Sequence, residues 1–311
     1  MIIKAPIDLE LTQNSGQTSQ PPWKLDNNIY SDVVVADNKA VLFQVKQKEN
    51  NLDFNFIGDI SNKEATKKIK TIFDLDFNLN KFYKYLNNQP ELADMTNFCR
   101  DLRLFLAKDK FECVISSVCS ANNSIVRWTK SIDDIKKSWG NKYTYSEKDY
   151  FTFPDVSDFK NIYCDDVEEF ECCSNLNNPG ECINNLKSCG VGYRAPYMKK
   201  ASEIFTLEMD LDDISKMSYD EAFDTMLKVP GVGPKVADCI LLYGFNFRQA
   251  FPTDVWIKRI VSYLYFDGKD INVSKIREFG MGEFGDYAGY VQLYLFHYAR
   301  MSGLMKKLKG M

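Results

Sequence analysis

The sequence predicts an α+β chain: an N-terminal antiparallel β-sheet domain, then a mostly α-helical domain built around a helix–hairpin–helix unit. Three observations carry this. Short β-branched and aromatic runs, punctuated by Asn, Asp and Gly, fill the first part. From about Asn78 the apolar residues recur at helical spacing. Further on, Val229-Pro-Gly-Val-Gly-Pro234 breaks two helical stretches with a turn that only such residues favour. We place the domains at 1–108 and 109–311.

In the first domain, Ser31-Asp-Val-Val-Val-Ala36, Lys39-Ala-Val-Leu-Phe-Gln-Val45 and Leu52-Asp-Phe-Asn-Phe-Ile57 read as strands joined by hairpins. Phe82, Tyr85 and Leu86, then Phe98, Leu102 and Phe105, read as helical faces. The remainder reads as helical, interrupted by a loop-rich stretch over 163–180. Lys306-Lys-Leu-Lys309 reads as a solvated, frayed basic tail.

Composition excludes several classes. No apolar run approaches the ~18–20 residues of a membrane span, and the start, MIIKAPIDLELT, lacks the apolar core of a signal peptide. A cytoplasmic location is expected, at the nucleoid or in the nucleus depending on the source. A net charge of −4 argues against a protein that coats nucleic acid, although a local basic face is compatible with it. The single histidine, His297, excludes most zinc-hydrolase and Ser-His-Asp arrangements. Nine cysteines with no C-x2-C read as reduced thiols. The dense group Cys172, Cys173, Cys182 and Cys189 has neither zinc-ribbon nor iron–sulfur spacing.

The strongest signal lies over 218–260. Ser218-Tyr-Asp-Glu221 has capping-box spacing and starts a helix to about Lys228. Pro234 suits the first turn of a second helix, and Gly244 suits its stop. The glycine hairpin, with Gly231 and Gly233, presents backbone N–H groups and a positive helix end to a phosphate. A plain helix–turn–helix corner is the alternative. On the second helix Lys235, Cys239 and Leu242 share one face, and Val236, Ile240 and Tyr243 the core-facing other. A lysine in a first helical turn faces the positive end of the dipole, which predicts a lowered pKa and a usable amine nucleophile. Asp254, nineteen residues on, suits a helix N-cap.

L-x-V-P-G-V-G-P-K-V-A-D-C followed by P-T-D-V-W resembles the helix-hairpin-helix DNA glycosylases, and the Lys235–Cys239 pair resembles their 8-oxoguanine DNA glycosylase branch. Four further segments are similar to that branch, in the right order from residue 14 to 296. They are Asn14-Ser-Gly-Gln17 (a strand motif in the family), Cys119-Ser-Ala-Asn-Asn-Ser-Ile-Val-Arg127, Gly190-Val-Gly-Tyr-Arg194, and Ala288-Gly-Tyr-Val-Gln292 with Phe296. The resemblance implies double-stranded DNA as partner, a flipped nucleotide, and no required cofactor or iron–sulfur cluster; a monomer is expected. It implies Lys235 as the nucleophile at C1′, paired with Cys239 as an ammonium–thiolate dipole, and Asp254 as the stabiliser of cationic sugar character. It implies the Gly16 carbonyl as reader of the lesion's N7–H, Cys239 and Phe296 as walls of the base pocket, and Gln292 on the Watson–Crick edge. Asn122, Arg127 and Arg194 would meet the orphaned cytosine, with Tyr193 as wedge. The carbonyls of Leu227, Val229 and Val232 match positions that hold a cation in the superfamily.

Two departures stand out. Gly16-Gln17 is followed by Thr-Ser-Gln-Pro-Pro-Trp23 where the family continues F-R-W, and Trp23 is the stand-in for the missing aromatic. Trp256 stands where eukaryotic members often carry histidine. The alternatives are a glycosylase for alkylated bases such as 3-methyladenine, which normally lacks the lysine, and a non-catalytic helix–hairpin–helix module that binds DNA.

Overall fold

The structure is a computed structural model that describes residues 1–36, 39–164 and 184–309. Among these, β1 (Ile2–Ile3), β2 (Lys24–Asp26), β3 (Ile29–Ala36), β4 (Lys39–Lys48) and β5 (Asn51–Ile57) form one antiparallel sheet in the order β1-β5-β4-β3-β2. The three expected strands are its centre, and the two short outer ones carry too few residues to show a period. Alternation along β4 decides the layers. Val41, Phe43 and Val45 enter the N-terminal core, while Leu42 faces the other way and is also buried.

Helix α1 (Leu9–Asn14) precedes the sheet centre and starts on Asp8, whose carboxylate accepts the Leu11 N–H at 2.8 Å. Asn14 to Gln17 therefore lie at a helix end and the bend after it, not in the strand that the resemblance implies. After β5 comes α2 (Asn62–Ile72), inside the part read from sequence as strand-rich. Its Ser61–Glu64 capping box satisfies both end donors, and Ala65, Ile69 and Ile72 pack onto the sheet.

The helices α3 (Leu79–Asn87) and α4 (Met95–Phe98) follow. Helical spacing fails after Phe98: residues 102–106 lie outside any helix or strand, running between the two cores, and Leu106 donates to the Ile72 carbonyl. Next come α5 (Lys110–Ser120) and α6 (Ile125–Trp139), then a hairpin, β6 (Lys142–Tyr145) and β7 (Lys148–Phe151), in a region expected to be helical. Ser146 and Glu147 both take positive φ at its turn, and Tyr150 covers Val33 and Leu42 on the second face of the sheet.

The rest is helical: α7 (Val156–Phe159), α8 (Ala195–Leu207), α9 (Leu211–Ile214), α10 (Tyr219–Leu227), α11 (Pro234–Phe245), α12 (Val255–Tyr265), α13 (Val273–Phe284), α14 (Ala288–Met301) and α15 (Leu304–Lys309). Helix α11 runs through Gly244 and stops at Asn246, which takes the left-handed conformation assigned from sequence to the glycine. Leu242 is fully buried, so α11 has a wider apolar face than the two-sided reading allows. The basic C-terminus is not frayed: Leu308 is 3% exposed and fixes α15 against the body of the helical domain. Cys172, Cys173 and Cys182 lie outside the described residues; Cys189 is buried. No helix of the described residues is long and apolar enough to cross a membrane.

The domains meet through a buried polar knot. The Asp74 carboxylate accepts from Arg248 and from the Tyr290 hydroxyl, the latter at 2.9 Å. Arg103, 2% exposed, donates to the carbonyls of Pro6 and Asp74 at 2.7 Å and of Phe77 at 3.3 Å. The Phe77 and Tyr290 rings stack over this knot at 3.8 Å.

The segment leading to α12 is set by a close contact between Gly280 of α13 and the Phe251 ring, which occupies the place of a Cβ at position 280. We expect Gly280→Ala to lower stability by about 1–3 kcal/mol through overpacking. Thermal unfolding measures this, and an unchanged Tm would show that the ring moves freely.

Candidate active site

The hairpin unit follows local chemistry. Ser218 caps α10 with its full capping box, its N–H bonded to the Glu221 carboxylate at 2.9 Å. After Lys228 the chain turns with bonds from Val229 to the Met226 carbonyl and from Val232 to that of Val229. Gly231 has φ +82°, and a Cβ there would meet Tyr197 at 2.8 Å. Gly233 then caps α11 with no side chain, and Pro234 occupies the first turn. The α11 N-terminus is thus left with unfilled N–H groups facing outward. The carbonyls of Leu227 and Val232 take no backbone N–H among the described residues.

A buried network fixes α11 beneath the hairpin. Asp238, fully buried, binds Arg277 of α13 at 2.6 Å and the Tyr219 hydroxyl of α10. Burial pushes the Asp238 carboxyl up, with Arg277 pulling the other way. The next residue on α11 is Cys239.

Two cavities share a boundary at this point. The deeper, about 210 Å³, lies between the domains. Gly16 to Ser19 line one side, Ile125 and Trp128 of α6 another. Lys235, Cys239 and Tyr243 line it from α11, and Asp254, Trp256 and Phe296 complete it. The second, about 600 Å³, is the wider groove outside and includes Asn122, Thr253 and Val273. Lys235 and Asp254 line both. They stand where the groove narrows into the deep cavity.

Asp254 caps α12 with one oxygen: Oδ1 accepts the N–H groups of Trp256 at 2.9 Å and Ile257 at 2.8 Å. Oδ2 has no partner among the described residues, so cap and free acceptor coexist in one side chain. The Lys235 ammonium is held above its ordinary value by the Cys239 sulfur and by Asp254, against burial. This corrects the lowered value expected from the helix dipole, because two acidic groups closer than the helix end outweigh it. Burial pushes the Cys239 thiol up, with Lys235 pulling it down. At neutral pH this favours ammonium–thiol over the ammonium–thiolate pair, and the sulfur tightens its hold on the ammonium only where the thiolate forms.

Gly16 has φ +71°, and a Cβ there would meet Ile125 Cδ1 at 2.6 Å. Its turn is tied to α14 twice, by Arg300 to the Ser15 carbonyl and by Gln292 Nε2 to Gln17 Oε1, each at 3.0 Å. Gln292 is buried behind the wall rather than exposed, and its Oε1 has no partner. Trp23 does not replace the missing aromatic. It is buried in the N-terminal core, edge-on to Phe73 and Phe105, while Trp128 and Trp256 are the tryptophans at the cavity.

Arg194, Tyr193 and Asn122 come together, whereas Arg127 stands on the exposed first turn of α6. Arg194 is 8% exposed and spends three donors on the carbonyls of Ala121 (2.8 Å), Asn122 (3.0 Å) and Val191 (3.3 Å). It therefore holds the Asn122 loop rather than reaching outward as the resemblance implies. Tyr193, 59% exposed, rests its ring on the same guanidinium at 4.4 Å. Sequence reasoning placed Tyr243 on the opposite, core-facing side of α11. It lines the cavity because the helix is buried nearly all round, and its hydroxyl has no partner. The two-turn spacing from Lys235 was the available signal.

Comparison with known proteins gives the family. Residues 1–114 match the 8-oxoguanine DNA glycosylase N-terminal domain, and residues 115–283 match the HhH-GPD superfamily of base excision DNA repair proteins. A probable N-glycosylase/DNA lyase of Methanothermobacter thermautotrophicus is 44% identical over 97% of this chain and 96% of its own length. The 8-oxoguanine glycosylase/lyase of Clostridium acetobutylicum, solved with DNA holding cytosine opposite 8-oxoG, aligns with a TM-score of 0.77 at 28% identity, covering 97% of this chain and 98% of that one. MBOgg1 in complex with a low-affinity DNA ligand aligns with a TM-score of 0.80 at 30% identity, over 97% and 96% of the two chains. The chain belongs to the HhH-GPD superfamily of base excision DNA repair proteins, in the branch that carries the 8-oxoguanine DNA glycosylase N-terminal domain.

Proposed function

We propose that this protein is a DNA N-glycosylase and AP lyase that removes 8-oxoguanine from duplex DNA through a lysine Schiff base, acting wherever its cell keeps DNA. One observation carries the reading: Lys235 and Asp254, with Ser120 and Asn123, line both the deeper cavity and the outer groove. A base flipped into the cavity leaves its sugar at that narrowing, since the sugar joins base to backbone.

In this mechanism Lys235 gives up a proton, and its amine attacks C1′. The C1′–N9 bond breaks, its electron pair leaves with the base, and the base takes up a proton. The free Oδ2 of Asp254 faces the positive character that develops on the sugar. The nitrogen, left positively charged by its attack, loses that second proton, and its lone pair then opens the C1′–O4′ bond to give the iminium, with O4′ protonated. Loss of a C2′ proton expels the 3′ phosphate by β-elimination, and water returns the amine.

Lesion reading draws on the carbonyl of Gly16. Among the described residues it accepts one bond, at 3.3 Å from Gln17 Nε2, a long bond that is cheaply exchanged. 8-Oxoguanine offers it an N7–H donor where guanine presents an acceptor, a difference of about 1–3 kcal/mol. Phe296 and Cys239 flank the base, and Gln292, behind the cavity wall in the free protein, would bring its unpartnered Oε1 to the donors of a guanine-type Watson–Crick edge only by turning into the cavity. Tyr193 suits a wedge, with Asn122 and Arg127 nearest the orphaned base. A cation on the carbonyls of Leu227, Val229 and Val232 would add positive charge beside a phosphate at the hairpin.

Borohydride trapping tests the reading. A covalent band is expected with duplex containing 8-oxoguanine opposite cytosine, absent with undamaged duplex and absent in Lys235→Gln. Release of 3-methyladenine with no band would instead support the alkylated-base enzyme.

Cap and chemistry separate at Asp254. Asp254→Asn keeps a capping oxygen and is expected to hold stability within about 0.5 kcal/mol, while Asp254→Ala loses about 1 kcal/mol. Both are expected to slow single-turnover excision by about 10²–10⁴-fold. Denaturation curves and single-turnover rates measured together check this.

The raised Lys235 ammonium predicts the pH profile. The reactive amine is the minor form below its pKa, so at saturating DNA the rate should climb about tenfold per pH unit from about pH 6 to 9. A plateau beginning near pH 7 would show that the amine is already free.

A further inference from the structure

The basic C-terminal segment is not accounted for by the reaction. Leu308 anchors α15, and the lysines around it are held on the surface of α12. The Lys307 ammonium donates to the Tyr263 hydroxyl at 2.7 Å. The Lys309 ammonium and the Arg259 guanidinium both stand over the Trp256 ring, at 5.8 and 5.5 Å, and Trp256 walls the deep cavity. Among the described residues Arg259, Lys306, Lys307 and Lys309 have no carboxylate partner, whereas the neighbouring Lys258 and Lys269 pair with Asp270 and Asp267. Between α12 and α15 lies a groove of about 230 Å³ lined by Lys258, Arg259, Lys269, Tyr263, one carboxylate, Asp270, and Ser262, whose buried hydroxyl lacks a partner. In a chain of net charge −4, the cations gathered here and on α15 outnumber that single carboxylate and make a local anion-attracting surface.

We propose that α15 and the outer face of α12 form a second phosphate-binding surface, separate from the glycine hairpin, which grips the backbone of the duplex beyond the flipped nucleotide. Trp256 and Ser262 are about 9 Å apart along α12, at 1.5 Å per residue, so the groove stands apart from the cavity wall. The contacts carry no base information, so they strengthen binding to damaged and undamaged duplex alike.

This inference rests on the proposed DNA-directed reading and is tested apart from it. Affinity of the full chain for a lesion duplex and an undamaged duplex is measured against salt concentration for wild type, for Lys306→Gln/Lys307→Gln/Lys309→Gln, and for a control with the same charge change, Lys48→Gln/Lys63→Gln/Lys67→Gln, on the N-terminal domain. Each lost phosphate contact lowers the slope of log K against log salt by about 0.9, so the C-terminal triple should lose about 2 to 3 and bind at least about tenfold more weakly on both duplexes. The control should change by less than one. Equal changes in the two triples, or none in the C-terminal one at an unchanged Tm, overturn the proposal and leave the trapping result standing. A wild type that binds neither duplex overturns the reading beneath it as well.

Discussion

The Asp74 carboxylate is the constraint on which the rest of the molecule depends. It is 4% exposed, and a buried charge is tolerable only when its partners are complete. Those partners are Arg248, just past the end of α11, and Tyr290, half a turn before Gln292 on α14. Arg103 grips the carbonyl of the same Asp74 from the segment between the cores. One N-terminal residue thereby registers the sheet domain against the two helices that carry Lys235, Cys239, Gln292 and Phe296. The deep cavity has walls from both domains, so its width follows from this knot. A slip of an ångström there would separate Gly16 from Phe296 without disturbing either core.

Much of this was legible locally. The helix–hairpin–helix could be read because each boundary has its own short-range cause: a capping box at Ser218, Pro and Gly over 229–234, an Asp cap at 254. The central strands could be read because their alternation is long enough to count. What escaped was decided at a distance. Helix α2 carried a capping box at Ser61 as clear as that at Ser218, but the strands before it drew the reading the wrong way. The β6–β7 hairpin forms where a second apolar sheet face needs a cover, and nothing near residue 142 reports that need. Tyr243 was assigned to the wrong side because α11 is surrounded, so no periodicity separates its faces. The direction of the Lys235 shift follows first from Cys239, one turn along the same helix, and then from Asp254, which approaches across nineteen residues of sequence; a dipole argument counts neither. The C-terminal lysines looked solvated because the contact that holds them, Leu308 on the helical core, is invisible in a tetrapeptide.

The electrostatic plan is one of small fixed charges on a chain that is acidic overall. The α11 N-terminus has no capping side chain, so its backbone donors remain for an anion. Close by, Asp254 uses one oxygen to close the start of α12 and leaves the other unengaged. The same residue steadies the scaffold and supplies the charge that keeps Lys235 protonated. Arg194 works similarly on the opposite side of the groove, spending its fork on three carbonyls so that Asn122 and Tyr193 stand in defined places. These are preorganised groups, and they cost no rearrangement when a ligand arrives.

The Gln17–Gln292 and Ser15–Arg300 bonds join residues 275 and 285 positions apart, nearly the two ends of the chain. During synthesis the N-terminal turn emerges long before α14, so Lys235 and the turn both wait for the helix that completes the cavity between them. A ribosome-bound or prematurely terminated chain would carry Lys235 with no shaped chamber to admit a base. The cavity therefore closes only once α14 has folded against the N-terminal turn.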